Sequence, residues 1–176
     1  MDPLERLLAA EAIRQAVQRY CRGVDRLDED LMMSAYHPDA TDDHGTVIGP
    51  ARELCARVVR THLRYDATMH CLLNHVIEVI DDCTAVGEVY NITYLLSSND
   101  DGTNTMSTWW GRHRDRYECR TGVWAIAHRA CVHEWTTTEV GITAMSIDAA
   151  AFLPGSADRG HDTMLGPPTS RPGAAR

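Results

Sequence analysis

TMSTWWGRHRDRYECRTGVWAIAHRACVHEWT, residues 105–136, reads as two long strands around a tight turn. Thr105 to Glu118 and Val123 to Thr136 are rich in aromatic and β-branched residues, and Arg120-Thr121-Gly122 between them is short enough for a hairpin. Met69 to Ile80 and Val86 to Leu96 have the same texture, with Asp81-Asp82 as their turn and Ser97 to Asn104 leading into the quoted segment. Four consecutive strands joined by turns predict an antiparallel meander.

The chain ahead of that sheet is helical. From Pro3 to about Val24 the apolar positions Ile13, Ala16, Val17, Tyr20, Cys21 and Val24 recur at three and four, which makes one buried helical face. Asp2 before Pro3 supplies an N-cap, with proline at the first helical position. Glu29 to about Tyr36 is read as a second helix, stopped by Pro38-Asp39-Ala40 before the polar run Thr41-Asp42-Asp43-His44-Gly45; Ala51 to about Arg64 is read as a third. Three helices and a sheet with one face to bury predict an α+β fold, a cone-shaped roll of a curved, mostly antiparallel sheet on the helices. Residues 1–136 make this domain. Residues 137–176, rich in Gly, Ala, Pro and Ser and without either period, are expected to form an extension, partly disordered or draped on a neighbouring subunit.

With 176 residues, 44% hydrophobic and 24% charged, the chain suits one cored domain. A formal net charge of −8 argues against a nucleic-acid partner. No apolar run approaches the roughly 20 residues that span a bilayer. The six cysteines have no C-x-x-C spacing and no apolar signal segment opens the chain, so a cytoplasmic protein with reduced thiols is expected. Nine histidines and the Asp42-Asp43-His44 run lack H-E-x-x-H or H-x-H spacing, and glycine-rich phosphate loops are absent, so neither a metal nor a cofactor is expected.

Four residues have the chemistry of an acid–base site: Tyr20 and Asp25 near the end of the first helix, His70 opening a strand and Arg129 in the last strand. An imidazole beside a carboxylate can take a proton near neutral pH, and a phenol and a guanidinium can steady an oxyanion. Each also has a plain structural reading: His70 as a packed histidine, Asp25 as a solvated helix end, Tyr20 as core, Arg129 turned to water. Tyr20 and Asp25 can share a cavity if the helix ends between them at Gly23. Strict alternation puts Arg129, Cys131 and His133 toward the cavity and Trp124 and Ile126 away from it, and puts His75 on the face opposite His70. Tyr36 and Trp110 are candidate cavity walls.

Tyr20-Cys-Arg-Gly-Val-Asp25-Arg-Leu-Asp28 followed by Ala35-Tyr-His-Pro-Asp39-Ala40 resembles the opening of SnoaL-like proteins of the nuclear transport factor 2 superfamily. Met69-His70-Cys-Leu-Leu-Asn74-His-Val-Ile-Glu78, Asp115-Arg-Tyr117-Glu-Cys-Arg-Thr-Gly122-Val-Trp124 and Ala127-His-Arg129 resemble the family's sheet. The likeness is strongest to the bile acid 7α-dehydratase and hexachlorocyclohexane dehydrochlorinase group, with scytalone dehydratase more distant. It implies an acid–base dyad of Asp25 and His70, with Arg129 in the position of the family's last-strand arginine. Tyrosine at position 20, where the dehydrochlorinase has lysine, tilts the resemblance toward loss of water.

The expectation is a cofactor-independent dehydratase acting on a small hydrophobic cyclic hydroxy-carbonyl substrate such as a steroid or polyketide. Isomerisation or aldol-type cyclisation on the same enolate is the alternative, as is a non-catalytic ligand-binding module. A homo-oligomer, trimer or dimer, is expected from the family's habit.

Overall fold

The structure, a computed structural model, describes residues 1–143. Helix α1 (Pro3–Arg26) begins at a capping box: the Asp2 carboxylate accepts from the Glu5 backbone N–H at 2.9 Å, and the Glu5 carboxylate accepts from that of Asp2 at 2.7 Å. Its buried stripe is Ala9, Ile13, Ala16, Val17, Tyr20, Cys21 and Val24. The helix runs unbroken through Gly23 to Arg26, so no early end separates Tyr20 from Asp25. Gly23 serves packing instead, because a Cβ there would lie 2.6 Å from the backbone nitrogen of Met32.

Helix α2 (Glu29–Met33) is shorter than its pattern suggests. Asp28 caps it through the Leu31 N–H at 2.9 Å, and the Ala35 carbonyl already accepts from Ile126 N–H at 2.9 Å, drawing the chain into the sheet. The segment read as a break is therefore a strand, β1 (Tyr36–Asp43), followed by the short β2 (Ile48–Pro50) and helix α3 (Ala51–His62). Then come β3 (Ala67–Val79), β4 (Thr84–Ser98), β5 (Asn104–Arg120) and β6 (Val123–Ile142). β6 continues past Thr136 to Ile142, so the sheet takes in residues assigned from the sequence to the extension. The rest of that expectation falls on residues 144–176 and lies outside the described residues.

The sheet has six strands in the order β2-β1-β6-β5-β4-β3. β1 runs parallel to β6 and every other pairing is antiparallel. The sheet curves over α1, α2 and α3 without closing, with the core between. Among the described residues no helix is long and apolar enough to cross a membrane, a statement that does not extend to β-barrels.

Two irregularities reset which side chains face the helices. Between Leu72 and His75 the β3–β4 register slips, so His70, Leu72 and His75, opposite Thr93, Asn91 and Val89, all point inward. His75 thus shares the face of His70 rather than opposing it, and its Nε2 lies 3.2 Å from the Tyr117 hydroxyl. A second slip at Arg116/Tyr117 lets Ile126, opposite Tyr117, and Arg129, opposite Asp115, face the same way. Trp124 and Ile126 accordingly lie in the core, not on a far side.

The inner face holds a buried ion pair. Arg129 Nε donates to Asp115 Oδ1 at 2.8 Å and Nη2 to Oδ2 at 2.6 Å, with both side chains fully buried. Tyr117 O–H donates to the same Oδ2 at 2.9 Å. The guanidinium carbon sits 4.5 Å from the centre of the Tyr20 ring and 5.7 Å from that of Tyr36. Burial opposes the charge of Arg129, but the Asp115 carboxylate outweighs it and holds the guanidinium firmly protonated.

Removing one member of such a pair leaves an uncompensated buried charge. Asp115→Asn is expected to lose about 3–5 kcal/mol in urea unfolding, whereas loss below about 1 kcal/mol would mean that the pair is hydrated. His75 generates a pH prediction: burial lowers its pKa from 6.5 to about 4. Between those values the unfolded chain binds a proton that the folded chain refuses, so stability present above about pH 6.5 is lost as pH falls. Allowing for partial exposure, the contribution is about 2 kcal/mol. Unfolding midpoints of a His75→Gln variant should fall less steeply on acidification than those of the wild type, and identical slopes would remove His75 from the account.

Candidate active site

Asp25, in the last turn of α1, grips His70 at two points. Its Oδ1 lies 2.7 Å from the ring Nδ1, and its Oδ2 accepts from the His70 backbone N–H at 3.0 Å. A carboxylate acceptor at Nδ1 puts the ring hydrogen on that nitrogen and leaves the lone pair at Nε2. The side chains are only 10% and 14% exposed, so the contact is shielded from bulk water. Asp25 faces an outer groove with Arg22 and Arg26, and His70 stands between that groove and an inner cavity.

The inner cavity measures about 210 Å³. Tyr20 and Val24 of α1 and Val58 and His62 of α3 form the helical side. The sheet side comes from His70, Asn91, Thr93, Leu95, Trp109, His113 and Cys131, with His44 just beyond β1. Burial, and after it the Asp42 carboxylate, raise Tyr20 well above the ordinary phenol range, so it is a hydroxyl donor at neutral pH. His113 is held neutral chiefly by burial and then by Arg129, which push its pKa well below 6.5. Burial also raises the Cys131 thiol.

Of the residues singled out from the sequence, Tyr20, His70 and Cys131 line this cavity, and Asp25 stands behind His70. Arg129 does not reach it: the guanidinium is locked to Asp115 beneath the Tyr20 ring. Tyr36 is buried one layer deeper, edge-on to Tyr20 with ring centres 5.6 Å apart, and its hydroxyl donates to Asp42 Oδ2 at 2.6 Å. Trp110 is not a cavity wall. It points to the other side of the sheet and stacks on Trp135 at 5.2 Å, while its neighbour Trp109 takes the inward place. Gly111 makes room for that ring, since a Cβ there would lie 2.1 Å from Trp109. His133 is exposed, 6.0 Å from Trp109 between ring centres, with its Nε2 2.7 Å from Thr136 Oγ1.

Sequence reasoning missed His113, Asp115 and Trp109, and weighed Asp42 and His44 only as a metal-ligand run of the wrong spacing. Arg112, Arg114 and Arg116 alternate with His113, Asp115 and Tyr117, and three arginines on one strand face imply that the odd positions point inward. That signal was available. The place of Asp42 and His44 in the fold was not legible, because a polar run after a proline reads as a turn; here Asp42 Oδ1 bonds His44 Nδ1 and Oδ2 bonds Tyr36.

The SnoaL-like domain family matches residues 5–130. Comparison with curated protein sequences returns no match. Among solved structures, the hexachlorocyclohexane dehydrochlorinase LinA-type3 of Novosphingobium barchaimii LL02 superposes with a TM-score of 0.70 at 22% identity, over 82% of this chain and 99% of that one. A Novosphingobium aromaticivorans protein provisionally described as a scytalone dehydratase gives 0.66 at 12% identity, over 85% and 98%. An NTF2-like protein with a cystatin-like fold from the same species gives 0.59 at 20% identity, over 73% and 83%. These identities bear on fold alone. The breadth of the domain match, over residues 5–130, establishes that this chain belongs to the SnoaL-like domain family.

Proposed function

We propose that this chain is a lyase that eliminates water from a ring-bearing β-hydroxy carbonyl compound. The carrying observation is the His70–Asp25 contact of 2.7 Å, with the histidine on the wall of a cavity that Tyr20 also lines. His70 Nε2 removes the proton α to the carbonyl, and Asp25 stabilises the imidazolium that forms. Tyr20 donates to the carbonyl oxygen as it becomes an enolate oxygen. The enolate then expels the β-hydroxyl, which takes its proton back from His70, so water leaves and the enzyme returns to its starting charge.

Arg129 acts in this scheme as a positioning residue. Its charge lies under the Tyr20 ring rather than in the cavity, where it favours negative charge developing at the phenol. Cavity size narrows the substrate: pockets for drug-sized ligands run from about 300 Å³ upward, so about 210 Å³ suits one ring and its substituents. A larger polycyclic substrate would insert one ring and leave the rest outside.

The test is turnover of cyclic β-hydroxy ketones, followed as conjugated enone absorbance. His70→Ala is expected to lower kcat/KM about 10²–10⁴-fold and Tyr20→Phe about 10²–10³-fold, with the double variant falling short of the product because both act on one transition state. A His70→Ala variant that turns over at the wild-type rate would exclude this role. Tight binding of ring compounds without turnover or α-deuterium exchange would move the chain to the ligand-binding members of the fold.

A further inference from the structure

β1, β6 and β5 bring three metal-ligand side chains together on the cavity wall. Cys131 and His113 are direct cross-strand partners, and His44 follows the β1 position beside them. One ligand atom from each of His44, His113 and Cys131 lies within 4.8 Å of the others, and Cys131 Sγ is 3.4 Å from each of the two ring nitrogens of His44. Zinc–sulfur and zinc–nitrogen bonds of about 2.3 and 2.0–2.1 Å at a tetrahedral angle put two such ligands about 3.5 Å apart. The Cys131–His44 pair is therefore already at ligand spacing.

We propose that His44 Nε2, His113 Nδ1 and Cys131 Sγ bind one zinc-class divalent ion, with its fourth position open to the cavity. The second observation is an unexplained pair of buried atoms. His113 is 3% exposed, yet among the described residues its Nδ1 has no hydrogen-bond partner, and neither has Asn91 Oδ1. Asn91 Nδ2 instead lies 3.2 Å from His113 Nε2. A half-turn of the amide, which exchanges its nearly isosteric oxygen and nitrogen, would let His113 Nε2–H donate to Asn91 Oδ1. The lone pair then falls on Nδ1, free to bind an ion.

His44 is prepared in the same way. Asp42 accepts at its Nδ1, which leaves Nε2 as the ligand atom, and Tyr36 donates to Asp42 at 2.6 Å. A metal-bound histidine usually donates its other ring N–H to an outer acceptor, and a carboxylate is one of the common ones. Charge also balances: binding releases the thiol proton of Cys131, and the thiolate and the Asp42 carboxylate together offset a 2+ ion. Arg129, which disfavours positive charge at His113, is offset in part by its ion pair with Asp115, and it favours the thiolate form of Cys131. One sulfur and two imidazoles select zinc, cobalt or copper over magnesium or calcium. Chelation needs no turnover, so this claim stands apart from the proposed elimination.

The experiment uses full-length protein stripped with chelator and titrated with Co²⁺, read by absorbance and by metal analysis after desalting. One equivalent per chain is expected, with a thiolate-to-cobalt charge-transfer band and the strong visible bands of a tetrahedral ion, all displaced by Zn²⁺. Cys131→Ser should abolish the charge-transfer band and His113→Gln should weaken binding at least 10-fold, while Cys83→Ser, at an exposed thiol, should titrate like wild type. Circular dichroism identifies a variant that has not folded, and the wild-type titration is decisive without it. A wild-type spectrum that stays that of hexaaqua cobalt overturns the proposal, as does a charge-transfer band that survives in folded Cys131→Ser.

Discussion

The bidentate contact between Arg129 and Asp115 organises the inner face of this sheet. Two opposite charges with no exposure at all must satisfy each other, and they do so through two hydrogen bonds of 2.8 and 2.6 Å. The residues around them take their places from that pair. Tyr117 bonds Asp115 and reaches His75, which fixes one side; Tyr20 and Tyr36 lie over the guanidinium, which fixes the other. A hydrophobic pair of equal volume could fill the same space, but it would neither orient a phenol nor hold a positive charge beneath it.

Above this layer the cavity draws on every element that the pair anchors. Tyr20 comes down from α1, His113 and Trp109 rise from β5, and Cys131 follows Arg129 two residues along β6. His70 is the exception, since it sits on the edge strand β3 and is tied to the structure by Asp25 of α1. The doubled contact, ring and backbone N–H to one carboxylate, compensates for a strand with a neighbour on one side only. Family membership sets the fold; the proposed reaction rests on these local contacts.

Helices and the four-strand meander were legible because their patterns are local. The capping box at Asp2 and Glu5, the stripe from Ala9 to Val24 and the Thr121-Gly122 turn are each decided within a few residues. What alternation could not deliver was parity across a bulge. One slipped residue between Leu72 and His75, and another near Ala127, turned His75 and Ile126 inward against the simple count. β1 stayed hidden for a different reason: its segment is polar, and the strand β6 that it pairs with lies far along the chain. The Asp25–His70 pairing was readable through family resemblance, whereas the ion pair that holds Arg129 away from the cavity depends on a cross-strand register that no single segment encodes.

The most direct test of the central claim is the tautomer of His70, read from the ¹⁵N shifts and ring couplings of the neutral imidazole in labelled protein, assigned by comparison with His70→Gln. The account predicts hydrogen on Nδ1, held by Asp25, and a bare Nε2 facing the cavity. A proton on Nε2, or a ring exchanging between both tautomers as a free histidine does, would contradict it, because His70 would then have no fixed lone pair with which to begin the reaction.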